Sequence, residues 1–300
     1  MSSISNWRHT FHKEFPYGVM LAPLLIYVVF IAIYPLFFSL GISLFKYRLT
    51  DPNQTKTFIG LANYARAFTD PVVLDTIKVT LIFVAGTVSI EIVLGLGLAM
   101  LLAAETPWMH FVRSFLLIPI ALPSLVVGLV WKSLYNADFG VIPYYLGVLG
   151  IDVGGGPLGE PSTALPAVIL IDVWQWTPLL MVIFLAGLKS LPTEPYEAAY
   201  VDGATRWQTF TRLTLPLLTP SFLIALLMRT MQAFKVFDII YATTSGGPGT
   251  ATTVLNYYIY TQGLTFFNMG YASALANILL VIVAILSIFY VMVLERQQAE

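Results

Sequence analysis

The chain is predicted to be an all-α integral membrane protein with six transmembrane helices, and three observations carry that expectation. Hydrophobic residues make up 58% of the 300 residues and charged residues only 10%, against about 25% charged in soluble domains. Six apolar segments are each long enough to cross a hydrocarbon core, which takes about 20 residues. None of them alternates inward and outward side chains as a membrane β-strand would.

The expected spans run roughly over 17–45, 77–104, 111–135, 164–188, 215–241 and 271–294. The first is too long for the apolar region of a signal peptide and is expected to be retained. Ahead of it, Ile4, Trp7, Phe11 and Phe15 fall on one helical stripe with Arg8, His12 and Lys13 off it. Residues 1–16 thus read either as a short helix along the inner surface or as an unstructured tail. Residues 17–294 form the transmembrane domain, with a cytoplasmic loop at 189–215, and 295–300 a cytoplasmic tail.

Positive charge orients the bundle. The connections at 136–163 and 242–270 hold no Lys or Arg, whereas 1–16, 105–113, 189–214 and 295–300 carry Arg8, Lys13, Arg113, Lys189, Arg206, Arg212 and Arg296. Both termini are therefore placed in the cytoplasm. The connection at 46–75, with Lys46, Arg48, Lys56 and Arg66, counts against this assignment and is outvoted.

Composition excludes several functions. The net charge of −1 offers no footprint for nucleic acid. Absence of cysteine removes disulfides, thiolate metal sites and cysteine nucleophiles. His9 and His12 have helical spacing but no neighbouring carboxylate cluster, a poor metal site. The glycine run GGGPLG at 154–159 lacks the lysine of a phosphate-binding loop, so no cofactor is expected in this chain.

The most informative stretch is polar: EAAYVDGATRWQTFTRLTLP, from Glu197 to Pro216. Pro195 suits the first position of a helix and Glu197 its first turn, where the dipole favours an anion. Gly203 can break that helix and Thr205–Leu213 can start another. The expected product is an elbow reaching into the cytoplasm to touch another protein.

This pattern resembles the cytoplasmic signature of permease subunits of binding-protein-dependent ABC importers: E-A-A, three residues, G, nine residues, an aliphatic residue, one more, then L-P. It is met by Glu197, Ala198, Ala199, Gly203, Leu213, Leu215 and Pro216. The stretches FIGLANYARAFTDP, RSFLLIPIALPSLVVGLVWKSLYNADFG and RTMQAFKVFDIIYATTSGGPGTATT extend the resemblance to the carbohydrate branch and its first-permease type. It implies a type I importer bundle in a bacterial or archaeal inner membrane, working with a second, different permease, two ATP-binding subunits that hold ATP and Mg, and an extracytoplasmic sugar-binding protein. The elbow, with Glu197, Ala198, Ala199, Asp202 and Gly203, would seat in a cleft of the ATPase.

Ionisable residues inside spans mark pathways or structural pairs. Arg229 stands near the middle of the fifth span and reads either as a donor to sugar hydroxyls or as the ion-pair partner of Glu91 or Asp172. Those two and Asp238 read as stabilising partners. Aromatic faces and planar polar groups bind sugars, and Trp174, Gln175 and Trp176 supply both ahead of Pro178. Pro119 and Pro123 are expected to distort the third span. Carried through the P-x-x-x-P, W-x-x-x-P and T-x-G-G-P landmarks, the branch's sugar site falls on Ser124, Gln175, Trp176, Arg229 and Gln232. A tryptophan here could equally anchor in the interface, and the loop at 245–249 either faces the binding protein or is a plain turn. The expected cargo is a di- or oligosaccharide, with glycerol phosphate or a polyol as alternative. An ion-coupled secondary transporter would use Glu91, Asp172 and Asp238 but leaves the elbow idle, and no repeat of one half in the other supports it.

Overall fold

The computed structural model describes residues 21–53, 55–151 and 153–299; the stripe through Ile4 and Phe15 and the His9/His12 pair lie outside them. The described residues are mostly helical. Helix α1 is Leu21–Ser43, followed by a two-stranded hairpin, β1 (Phe45–Lys46) and β2 (Thr57–Phe58), and by α2 (Ala62–Thr69). Next come α3 (Pro71–Leu101), α4 (Pro107–Ala121), α5 (Ser124–Leu134), α6 (Val141–Val148), α7 (Pro161–Lys189) and α8 (Glu194–Val201). The chain continues with α9 (Arg206–Phe234), α10 (Asp238–Thr243), α11 (Leu255–Tyr260) and α12 (Met269–Ala299).

Two compact units emerge, one from 21–67 with 262–277 and one from 68–261 with 278–299. In the first, β1 and β2 pair antiparallel through Phe45 and Phe58, whose rings meet edge-on at 5.4 Å. Asn63 donates its amide to the carbonyls of Ser43 and Phe45 at 2.8 and 3.1 Å, closing the loop onto the end of α1. Lys56 lies 4.8 Å over the Tyr47 ring and Arg66 4.1 Å over Tyr271. Two of the cations that count against the assigned orientation are thus packed on aromatic faces in a folded loop.

In the second unit, α3 and α7 form the central pair. A methyl group placed on Gly95 would stand 2.8 Å from the Leu180 Cβ, and one on Gly86 3.0 Å from the Ile169 side chain, so two glycines let the backbones approach. Ala99, Leu180, Met181, Phe184, Leu218 and Ala225 complete a core shared by α3, α7 and α9. Starts are set locally: Asp70 accepts from Val72 N ahead of Pro71, and Thr106 accepts from Met109 N ahead of Pro107.

Two expected spans need correction. The distortion expected at Pro119 and Pro123 is present in the third and divides it, so that it is no single helix over 111–135: α4 and α5 meet at a bend of 96°. Pro123 has no N–H to continue the ladder, and it forces Leu122 before it into the extended region at ψ 139°. The fifth neither starts at Leu215 nor runs unbroken to Tyr241. Helix α9 begins nine residues earlier, at Arg206, and passes through a π-helical turn at Phe210–Thr214. That wider turn takes up the clash that the Pro216 ring would make with the carbonyl four residues back. The same span stops at Phe234 and restarts at Asp238. Asn256 Nδ2 donates to the Lys235 carbonyl in the gap, at 2.8 Å.

Candidate functional site

Both breaks open onto one cavity of about 210 Å³. Pro123 places Ser124 at the start of α5, on one wall. Helix α7 contributes Asp172 and Trp176, one turn apart, and α9 contributes Arg229 and Gln232 on a shared face. The 235–237 gap turns Lys235, Val236 and Phe237 inward, and Asp238 lines the cavity beside them.

Among the described residues Arg229 is the largest fully buried side chain, 1% exposed, with Glu91 at 0% and Asp172 at 2%. Its Nε donates to Glu91 Oε2 at 2.5 Å and its Nη2 to Glu91 Oε1 at 2.9 Å; Nη2 also donates to Asp172 Oδ2. Glu91 on α3 and Asp172 on α7 thus grip one guanidinium on α9. Nη1 takes no part in these bonds, and the guanidinium carbon lies 5.6 Å from the centre of the Trp176 ring. The ion-pair reading of Arg229 is met, with both Glu91 and Asp172 as partners, and the same residue lines the cavity.

Four of the five expected sugar contacts, Ser124, Trp176, Arg229 and Gln232, line this cavity. Gln232 Oε1 is buried with no protein partner, an acceptor left over. Gln175 is not among the lining residues. It is 1% exposed, and its Nε2 donates 3.0 Å to the carbonyl of Leu122, bracing the break in the third span. Trp174 lies elsewhere, its ring edge-on to Trp131 at 5.6 Å in an apolar groove.

Phe237, Lys235 and the place of Asp238 were not anticipated. Phe237 stacks on Tyr241 at 5.5 Å and meets Tyr260 at 5.0 Å, with Tyr257 behind it at 6.1 Å. The signal was the charged pair Lys235 and Asp238 interrupting an apolar run, since ionisable residues are costly in a lipid-buried helix.

The elbow lies at the other end of α9. Helix α8 carries Pro195 in its first turn together with Glu194 and Glu197, and ends where Gly203 takes φ +71°. Ala204 N donates to the Ala199 carbonyl at 2.9 Å, closing the turn. Thr205 then opens α9 with a capping box: its Oγ1 accepts from Gln208 N, and Gln208 Oε1 accepts from Thr205 N at 2.8 Å. Tyr196 OH donates to Thr214 Oγ1 at 3.2 Å, tying α8 to α9. Glu197, Ala198, Asp202 and Gly203 are exposed and Ala199 half-buried. Tyr200, Val201 and Trp207 around them are 86%, 83% and 71% exposed, an apolar patch of the kind a partner covers.

Next to the elbow, Glu105 on the α3–α4 connection pairs with Lys189 at the end of α7 and with His110 at 3.0 Å. The Lys189 ammonium holds the Glu105 carboxyl below the usual carboxylate range. Buried Arg113 donates from Nε to the Leu102 carbonyl at 2.9 Å and from Nη2 to that of Ala104 at 2.8 Å.

Comparison with known proteins adds a second line of evidence. Residues 80–298 match the family described as binding-protein-dependent transport system inner membrane component. The trehalose/maltose transport system permease protein MalF of Thermococcus litoralis is 36% identical over 278 residues, covering 92% of each chain. The trehalose transport system permease protein SugA of Mycobacterium tuberculosis is 33% identical over 274 residues, covering 91% of this chain and 86% of its own. A crystal structure of a bacterial ABC transporter involved in the import of the acidic polysaccharide alginate superposes with a TM-score of 0.82 over 97% of this chain and 99% of its own, and at 23% identity shows the shared fold alone.

Proposed function

This chain belongs to the binding-protein-dependent transport system inner membrane components, and from that premise we propose that it is the permease subunit of an ABC importer carrying a di- or oligosaccharide inward. The observation that carries the coupling is one continuous helix: α9 starts at the exposed elbow and holds Arg229 and Gln232 about 35 Å further on, at about 1.5 Å per residue. ATP is hydrolysed on two separate subunits that grip Glu197–Gly203, a second, different permease completes the pathway, and a sugar-binding protein delivers cargo at the outer face of the inner membrane.

Sugar hydroxyls meet Ser124, Gln232 and Arg229 Nη1, while Trp176 and Phe237 cover C–H faces. The cavity is smaller than the roughly 300–1,000 Å³ of typical small-molecule pockets, so a disaccharide enters only as the bundle opens. That local opening suffices for binding; ATP-driven movement of the elbow, by tilting α9, is the separate step that carries the bound sugar across. The test is uptake by cells expressing the full importer. Transport should stop on ATP depletion and persist when ionophores collapse the ion gradients; the reverse pattern would establish a secondary transporter.

A further inference from the structure

Arg229 is the cation best placed to attract an anionic substrate, yet its charge is already matched. Glu91 holds it through Nε and Nη2, Asp172 holds Nη2 from the cavity wall, and all three are at most 2% exposed. Lys235 and Asp238, both exposed, also line the cavity. Three carboxylates therefore accompany two cations, and the formal excess is negative. A phosphate or carboxylate entering here would give up its hydration and meet surroundings in which negative charge exceeds positive, exposed Lys235 being the lining cation that no described carboxylate holds.

We infer that Glu91, which does not line the cavity, is a specificity-determining residue: by neutralising Arg229 from behind, it makes the site one for uncharged, hydroxyl-bearing sugars and excludes phosphorylated or acidic ones. The inference rests on the cavity being the sugar site. Glu91 never touches the cargo. It fixes the guanidinium so that Nη1 and the Trp176 face are what the cargo meets, and it cancels the charge that would select an anion. Substrates such as glycerol phosphate are thereby disfavoured.

Trehalose and trehalose 6-phosphate, which differ only by the phosphate, test this by equilibrium dialysis against the assembled importer complex in lipid nanodiscs without the binding protein. The wild type should hold trehalose at least tenfold more tightly than its phosphate, and Trp176→Ala should weaken both. Glu91→Gln keeps the size and an acceptor for Arg229 while removing one charge. It should narrow that preference by about tenfold, the scale of one unit charge several ångströms away at an effective dielectric of about 20. Should Glu91→Gln fail to assemble, Asp172→Asn removes the other carboxylate and should shift the ratio the same way. Equal or tighter binding of the phosphate by wild type would overturn the inference while leaving the site in place. An unchanged ratio in an assembled carboxylate variant would do the same. If neither sugar binds, or if Trp176→Ala leaves binding intact, the sugar site lies elsewhere and both readings fall.

Discussion

Three buried charges, each on a different helix, place the tightest constraint on single residues. Removing Arg229 leaves Glu91 and Asp172 buried without a counter-charge, a change that costs about 3–5 kcal/mol and far exceeds the loss of one sugar contact. Arg229→Ala should therefore reduce assembled complex, read as the yield and thermal midpoint of the purified importer, as well as uptake. Trp176→Ala removes a half-exposed ring and no buried charge, so it should lower sugar uptake severalfold with assembly intact. Both alternatives for Arg229 were visible in the chain, because only a few charges interrupt the apolar spans. What the sequence withholds is which nitrogen bonds which carboxylate, since that depends on the rotation of three helices about their axes. Gln175 shows the same limit: one position away from Trp176, it points to the backbone of Leu122 and braces the wall.

Elements were legible in proportion to how local their causes are. Spans two, four and six needed only hydropathy and the prolines and caps at their ends, and the elbow needed only Pro195, Gly203 and Thr205. The distortion of the third span was legible in Pro119 and Pro123, though not its angle; the fifth was drawn too straight, because a hydropathy window averages over the 235–237 gap. The conformation at Gly203 makes a direct prediction. Its surroundings are open, but a side chain at φ +71° is strained, so Gly203→Val should destabilise the turn by about 1–3 kcal/mol and cut coupling before it cuts expression. Gly95 is the opposite case, with space rather than conformation at stake. Gly95→Val would press on Leu180 and should lower the thermal midpoint, at an overpacking cost of about 1–3 kcal/mol. Glu105 ties the α3–α4 connection to the end of α7. Its carboxyl is depressed by Lys189, so its contribution is present above the ordinary carboxylate pKa and lost as pH falls through the depressed one. The difference in thermal midpoint between wild type and Glu105→Gln should accordingly be seen at neutral pH and vanish in acid.

At the scale of the whole molecule, the chain is a permease, and in the proposed account its energy and cargo arrive at opposite ends of one helix. Helix α9 leaves the elbow through a capping box, bends through a π-helical turn around Pro216, and presents Arg229 and Gln232 to the cavity before breaking at Lys235. The membrane class, the helix count and the exposed elbow followed from composition and spacing. The continuity of elbow and span did not, because Pro216 reads as a fresh start when the widened turn before it is invisible. The most direct test measures transport and occupancy together in proteoliposomes holding the complete importer, with Glu197→Ala and Gly203→Leu combined. The account predicts that ATP-dependent sugar uptake is lost while trehalose binding to the cavity remains. Uptake at the wild-type rate in that double variant would contradict it.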